Sequence, residues 1–461
     1  MTPALRLHAF RNGALAACLS LLVASVVSAQ PSAPLQLPYT QFTLANGLHV
    51  ILHEDHSTPV ASVNVWYHVG SAREKPGRTG FAHLFEHLMF TGSGHVAEGE
   101  FDQLLEAAGG NNNGSTENDR TNYVIDVPSN ALELALFLES DRMGYLLDSM
   151  SPQRVDQQRD VVKNERRQSF ENRPYGLAEG QVLTELIYPE GHPYHWPVVG
   201  YMDDLTAASY DDVVQFFNTY YAPANASLVI AGDIDVAKTR GLVEKWFGDV
   251  KPRAAVTPIT IPGVMLTDVK KKTITDRVQL PRLYMAWITP PSLAPGDAAL
   301  DMVADVLAGG KNSRLYKRFV YDMQIAQYVS AYQNSQSLSS YFLIRATPQP
   351  GHTVDELKAV IDEEIEALKK NPPTDHEVQR AINQIEASFY NRMERVGGFG
   401  GKADQLNRYY TDTGNPDWFN EDLARYRAIA PTDVQAAAQA FLPADRRVEL
   451  TVVPESAGAQ R

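Results

Sequence analysis

The stretch "SYDDVVQFFNTYYAPANASLVIAGDID", residues 209–235, has a counterpart near the end of the chain, "APTDVQAAAQAFLPADRRVELTVVPE", residues 430–455. Each reads as a helix, an aromatic-plus-proline turn, a bend and a closing strand. "ASVNVWYHVGS" in the first half is likewise matched by "PRLYMAWITPP" in the second. Such self-similarity at half the chain length means that one supersecondary plan is used twice. The 461 residues exceed one ordinary core, so two domains are expected. The fold class read from this pattern is α+β. It comprises two homologous domains, each a mainly antiparallel sheet with helices packed on one face. Pro252, Pro258 and Pro262 lie in a stretch with little periodicity, which reads as the linker, residues 251–265. The domains are then 36–250 and 266–455.

The N-terminus constrains location and chemistry. Arg6 and Arg11 precede an apolar run from Gly13 to Val27, followed by Ser28, Ala29 and Gln30. This is the pattern of a secretory signal cleaved after Ala29, giving a leader of residues 1–29 and a secreted protein. Cys18, the single cysteine, lies in that leader. A mature chain without cysteine has no disulfide and no thiolate ligand, so a metal site must use His, Asp and Glu. The formal net charge of -14 and the lack of any basic block argue against a nucleic-acid partner. No second apolar run is long enough to span a bilayer, so no membrane span is expected in the mature chain.

The segment "TGFAHLFEHLMFTG", Thr79 to Gly92, places three polar groups in an otherwise apolar helix. His83 and His87 are four apart and share a face, and Glu86 projects beside His83. Phe81, Leu84, Phe85, Leu88 and Met89 cover the other faces. Two imidazoles at this spacing can reach one ion at roughly 2.0–2.1 Å, and a catalytic zinc site needs a third protein ligand and an open position for water. A carboxylate beside that position can take a proton, and Glu86 stands there. The order H-x-x-E-H is the inverzincin arrangement. Two core histidines with a stray glutamate would give the same five letters.

Further motifs carry a resemblance. "GFAHLFEHLMFTG", "GGNNNGST", "VVKNERRQSFENRPYG" and "YYAPANASLVIAGDID" resemble, in order, the pitrilysin family of zinc peptidases, which includes insulin-degrading enzyme and the mitochondrial processing peptidase. The resemblance covers nearly the whole mature chain and is strongest to half-length secreted bacterial members. It implies one Zn2+ per chain held by His83, His87 and Glu165, with Glu86 as the general base. Spacing alone would leave Glu165 a solvated residue beside Arg166 and Arg167. Family members often carry a second glutamate seven positions before the distal ligand; Gln158 stands there, uncharged. "GGNNNGSTENDRTNY" matches the family's peptide-receiving edge strand, with Asn113 and Thr116 on its Asn and Thr, although an Asn-Gly run by itself reads as a turn. His192 and His195, in a Pro-rich loop, read as structural.

In the second half, Tyr328 matches a family tyrosine that holds substrate. The residue seven before it is Tyr321, where the family has arginine, and Arg318 is three positions further back. The half-length members usually pair, and some pair a zinc-bearing chain with a metal-free relative that supplies the Arg/Tyr pair. A dimer is therefore expected, with this chain as the zinc-bearing member of a heterodimer. The resulting reading is a zinc-dependent endopeptidase acting on peptides or unfolded segments. The rival is a non-catalytic, zinc-stabilised scaffold or partner subunit.

Overall fold

The first half builds six strands: β1 Thr40–Thr43, β2 His49–Glu54, β3 Val60–Tyr67, β4 Asn111–Thr116, β5 Thr121–Pro128 and β6 Ala226–Gly232. The computed structural model describes residues 35–455 of the chain; the leader expected at 1–29 lies outside them. Asn46-Gly47 turns the chain between β1 and β2, with Gly47 at φ 93° and the Asn46 amide donating to the carbonyls of Phe247 (2.7 Å) and Val250 (3.0 Å). The sheet order is β1-β2-β6-β3-β5-β4, antiparallel except for β2 with β6. The second half repeats the plan with β7 Lys270–Asp276, β8 Arg282–Thr289, β9 Ala326–Asn334, β10 Ser340–Pro348 and β11 Val448–Pro454. Their order is β7-β11-β8-β10-β9, again with one parallel pair, β7 with β11. Strand for strand this is the first sheet without β1, so the duplication seen in the sequence is a duplication of topology. No strand or helix lies between Phe247 and Lys270.

Within each half the helices lie on one face. The first core packs Val63, Val65, Phe85, Leu136, Leu146 and Phe217 between sheet and helices; the second does the same with Met285, Trp287, Leu300, Ile344 and Ile361. The opposite faces are not left to solvent. Helix Lys402–Thr413, in a region for which the sequence pattern predicts no element, crosses to the first half and packs on β3 and β6. In return the first-half helical turns Ala178–Val182 and Leu183–Ile187 pack on β8 and β11, closing a third core with Tyr284, Val448 and Leu450. Both sheets accordingly belong to one compact unit that begins at Leu37.

The crossing helix is held by polar groups. Asp404 Oδ1 accepts from the Trp66 indole (3.0 Å) and from the amides of Asn122 (3.0 Å) and Asn64 (3.2 Å). Asn407, fully buried, donates to the Asn64 side-chain (2.9 Å) and main-chain (3.2 Å) oxygens and accepts from the Ser227 hydroxyl. These outward positions of β3, β5 and β6 are polar because their partners come from the other half. Leaving a buried partner unsatisfied costs about 1–3 kcal/mol. Asn407→Ala is therefore expected to lower unfolding stability by about 2 kcal/mol or more in urea titration; an unchanged midpoint would contradict this account of the seam.

Candidate metal centre

The helix Phe81–Leu88 is short, and its local sequence does not hold it in place. Its N-cap is Gly80, at φ 86°, with no side-chain cap. The first-turn amides are met from outside: Glu74 Oε2 accepts from Gly80 N (2.9 Å) and Oε1 from Ala82 N (2.8 Å). Burial pushes the Glu74 carboxyl well above the usual range, against the pull of those amides. Asp204 accepts from Thr79 N (3.1 Å) and Thr79 Oγ1 (2.7 Å). On the core side Phe85 stacks on Phe216 (5.1 Å between centroids) and Tyr221 (4.9 Å). Glu74 and Asp204 were invisible to motif reading, because a helix cap is recognised in sequence only when it is local.

The helix Pro152–Arg166 starts on Ser151, whose hydroxyl accepts from Arg154 N, with Pro152 at the first position, as the sequence indicates. It buries Val155 and Val162 and carries Glu165 to the histidines. Glu165 Oε2 lies 3.1 Å from His87 Nε2 and 3.6 Å from His83 Nε2. One ligand atom from each of the three lies within 4.8 Å of the others. The imidazoles stand edge-on to each other, centroids 4.8 Å apart. Burial lowers His83 to about 4, with the His87 charge acting in the same direction. The hydrogen bond from His87 lowers the Glu165 carboxyl. Neutral imidazole and ionised carboxylate are the forms that ligate a divalent metal, so the donor set fits zinc in chemistry and spacing. His83 Nδ1 is buried without a hydrogen-bond partner.

Glu86 lies beside the cluster. Thr116 Oγ1 donates to Glu86 Oε2 at 2.7 Å, and burial raises the Glu86 carboxyl above its ordinary value. Thr116, expected on the peptide-receiving strand, thus also touches Glu86. Gly114 leaves little room beside them: a Cβ there would lie 3.0 Å from Glu86 Cγ and 3.1 Å from the Phe90 ring. A cleft of about 360 Å³ opens at this point, lined among others by Glu86, His87, Phe90, Asn113, Gly114 and Gln158. Gln158 therefore faces the cleft next to His87. β4 forms one wall and is the edge of its sheet, so among the described residues its outer backbone groups have no strand partner. Below Phe90 lies a fully buried pair: Arg142 Nε donates to Glu139 (2.9 Å), and the guanidinium sits 4.3 Å from the Tyr123 centroid and 5.1 Å from that of Phe90.

Tyr328 is not brought to this cleft. It lies on β9, the edge of the other sheet, 38% exposed. Its hydroxyl accepts from Arg345 Nη2 (2.9 Å), and Arg345 also reaches Glu179 (3.2 Å). Tyr321 is exposed. Arg345 lies across the strand pair from Tyr328, so no search of the preceding residues would find it. His192 Nδ1 accepts from Tyr194 N, and His195 Nδ1 contacts the Tyr188 carbonyl, both away from the three ligands.

The second half shows what the duplicated helix becomes without histidines. The helix Asp297–Ala308 follows β8 as Phe81–Leu88 follows β3, and it carries Asp301 and Asp305 at the same four-residue spacing. Arg380 Nη2 donates to Asp305 Oδ1 (2.9 Å), so a guanidinium is the cation there. Asp301 accepts from the Tyr426 hydroxyl (2.7 Å), faces Asp297, Asp422 and Arg425, and is pushed up to about 7 by burial. An unfolded aspartate titrates near ~3.9. Folding therefore takes up a proton between about pH 4 and 7, and stability falls as pH rises through that window. Asp301→Asn should flatten this fall and leave the protein more stable than wild type above pH 7, as read from unfolding midpoints across pH.

Residues 49–188 match the family described as insulinase, peptidase family M16, and residues 207–385 match the one described as peptidase M16 inactive domain. The zinc protease PqqE of Helicobacter pylori is 31% identical over 399 residues, covering 84% of this chain and 88% of that protein. An uncharacterized zinc protease of Streptomyces coelicolor is 26% identical over 421 residues, covering 89% and 88%. Among solved structures, a protease from Helicobacter pylori superposes with a TM-score of 0.84 at 26% identity, over 91% of this chain and 100% of that one.

Proposed function

Because the chain belongs to the M16 peptidase family, of which insulinase is the namesake and which the pitrilysin resemblance anticipated, we propose that it is a zinc-dependent endopeptidase. The observation that carries this reading is the convergence of His83, His87 and Glu165 within 4.8 Å, with Glu86 beside them at the mouth of a cleft. His83, His87 and Glu165 would hold one zinc ion, which when bound polarises a peptide carbonyl and acidifies water. Glu86 accepts the proton of the attacking water and delivers it to the leaving amine. Thr116 fixes one carboxylate oxygen of Glu86 and leaves the other for that proton. The free edge of β4 receives the substrate backbone in extended form, which favours peptides and unfolded segments and asks little of their side chains. The expected location is the periplasm, reached through the leader.

A non-catalytic scaffold would not require a carboxylate beside His87 at the mouth of the cleft. Glu86→Gln keeps the shape and removes the proton acceptor. It is expected to retain zinc by metal analysis and lose roughly 10²–10⁴-fold in peptide cleavage. Cleavage by this variant at the wild-type rate would sink the mechanism.

With Tyr321 standing where the family has arginine, a partner chain would be needed to supply the guanidinium. The bond from Arg345 to Tyr328 gives that tyrosine a guanidinium from the same chain and favours a pair of identical subunits. Light scattering of the purified chain should report a dimer that cleaves peptides without a relative; activity only after adding a metal-free relative would restore the heterodimer.

A further inference from the structure

A zinc site tolerates displacements of only about 0.2 Å in its ligand distances. Here two of the three ligands ride on a helix of 8 residues. Helices shorter than ~12 residues are marginal by themselves, so their placement comes from tertiary contacts. Side packing on Phe85 and Leu88 sets which face looks inward. The first turn of the helix has no side-chain cap of its own, so its amides need partners from elsewhere, and Ala82, in that turn, directly precedes His83. The carboxylate of Glu74 grips this turn at both Gly80 N and Ala82 N. The glutamate is 8% exposed as a residue and comes from the loop after β3, not from the helix. On the far side of the same turn, Gly200 meets Gly80 so closely that a Cβ on Gly200 would lie 2.5 Å from Gly80 Cα. Tyr201 N donates to Thr79 Oγ1 (2.9 Å), and the Tyr201 hydroxyl donates to Glu185 (3.0 Å). Glu185 also accepts from Gln181 (2.9 Å), which in turn accepts from Arg166 Nη2 (2.7 Å). Arg166 is the neighbour of Glu165. The anchored turn is thereby joined through hydrogen bonds to the end of the helix that brings the third ligand.

Building on the zinc reading above, we propose that Glu74 is the positioning residue of the metal centre: by holding Gly80 N and Ala82 N it sets the axial placement of His83 and His87 against Glu165. Glu74 touches neither metal nor substrate and acts through the helix backbone. A glutamine at this position keeps one carbonyl acceptor and turns an NH2 toward the other amide, so only half of the grip survives. Alanine abolishes it. The order of zinc affinity should then be wild type, Glu74→Gln, Glu74→Ala.

The test is zinc affinity measured by competition with a chromophoric chelator, at a temperature where each full-length variant is folded by circular dichroism. Loss of a residue supporting metal ligands typically costs 10–100-fold in affinity, and Glu74→Gln is expected in that range. Asn407→Ala serves as a control that loses global stability at the seam between the halves and should keep the wild-type zinc constant within twofold. If Glu74→Gln does not fold, Asp204→Asn, which loosens Thr79 in the same turn, is measured in its place with the same expectation. Unchanged affinity in the folded variant overturns the proposal while leaving the peptidase reading intact. An equal loss in Asn407→Ala also overturns it, by showing that affinity merely follows stability. A wild-type chain that binds no zinc overturns the functional reading and this one together.

Discussion

Two imidazoles four residues apart find each other by helix geometry alone, but the third ligand must arrive from another helix. The contact between Glu165 and the two histidines is therefore the constraint that the first half is organised to satisfy. It needs the helix Pro152–Arg166 to pass the helix Phe81–Leu88 at a fixed depth. Val155 and Val162 press one helix into the core, and the aromatic stack of Phe85, Phe216 and Tyr221 seats the other. Backbone anchoring at Gly80 and Ala82 removes the remaining freedom. Burial does a second job at the same place: it keeps His83 neutral, while the His87 hydrogen bond keeps Glu165 ionised. Packing that fixes the geometry also fixes the protonation states suited to a metal.

Glu86, the proposed base, is held by the same logic from a different element. Glu86 belongs to the histidine helix, but its carboxylate is oriented by Thr116 on β4, and Gly114 of that strand leaves room for it. The strand proposed to take a peptide at its edge is thus also the strand that orients Glu86. The fully buried Arg142, wedged beneath Phe90 and Tyr123 and neutralised by Glu139, stiffens the floor under both.

What could be read from the sequence was whatever depends on local spacing. The histidine pair, the Ser151-Pro152 start, the Asn46-Gly47 turn and the strand Val60–Tyr67 all follow from period and propensity. The strand Asn111–Thr116 does not: "NNNGST" has poor β propensity, and only resemblance pointed to an edge strand. Pairing with β5 overrides local preference there. Glu74 is hidden because it caps a helix it does not belong to. Arg345 is hidden because it meets Tyr328 through strand pairing, whereas the motif sought it along the chain. The aspartates of the helix Asp297–Ala308 explain why the duplication is clear in topology and faint in sequence: the copy kept its place and closed on an arginine.

The exchange of helices between the halves bears on how the chain can be divided. Helix Lys402–Thr413 seals the outer face of the first sheet, and the turns Ala178–Val182 and Leu183–Ile187 seal that of the second. A fragment ending near the linker would expose Asn64, Trp66 and Ser227 on one sheet while carrying an unaccommodated apolar segment meant for the other. The two halves are repeats in topology but not modules in construction. Halves that have traded helices in this way can be recombined only as a pair.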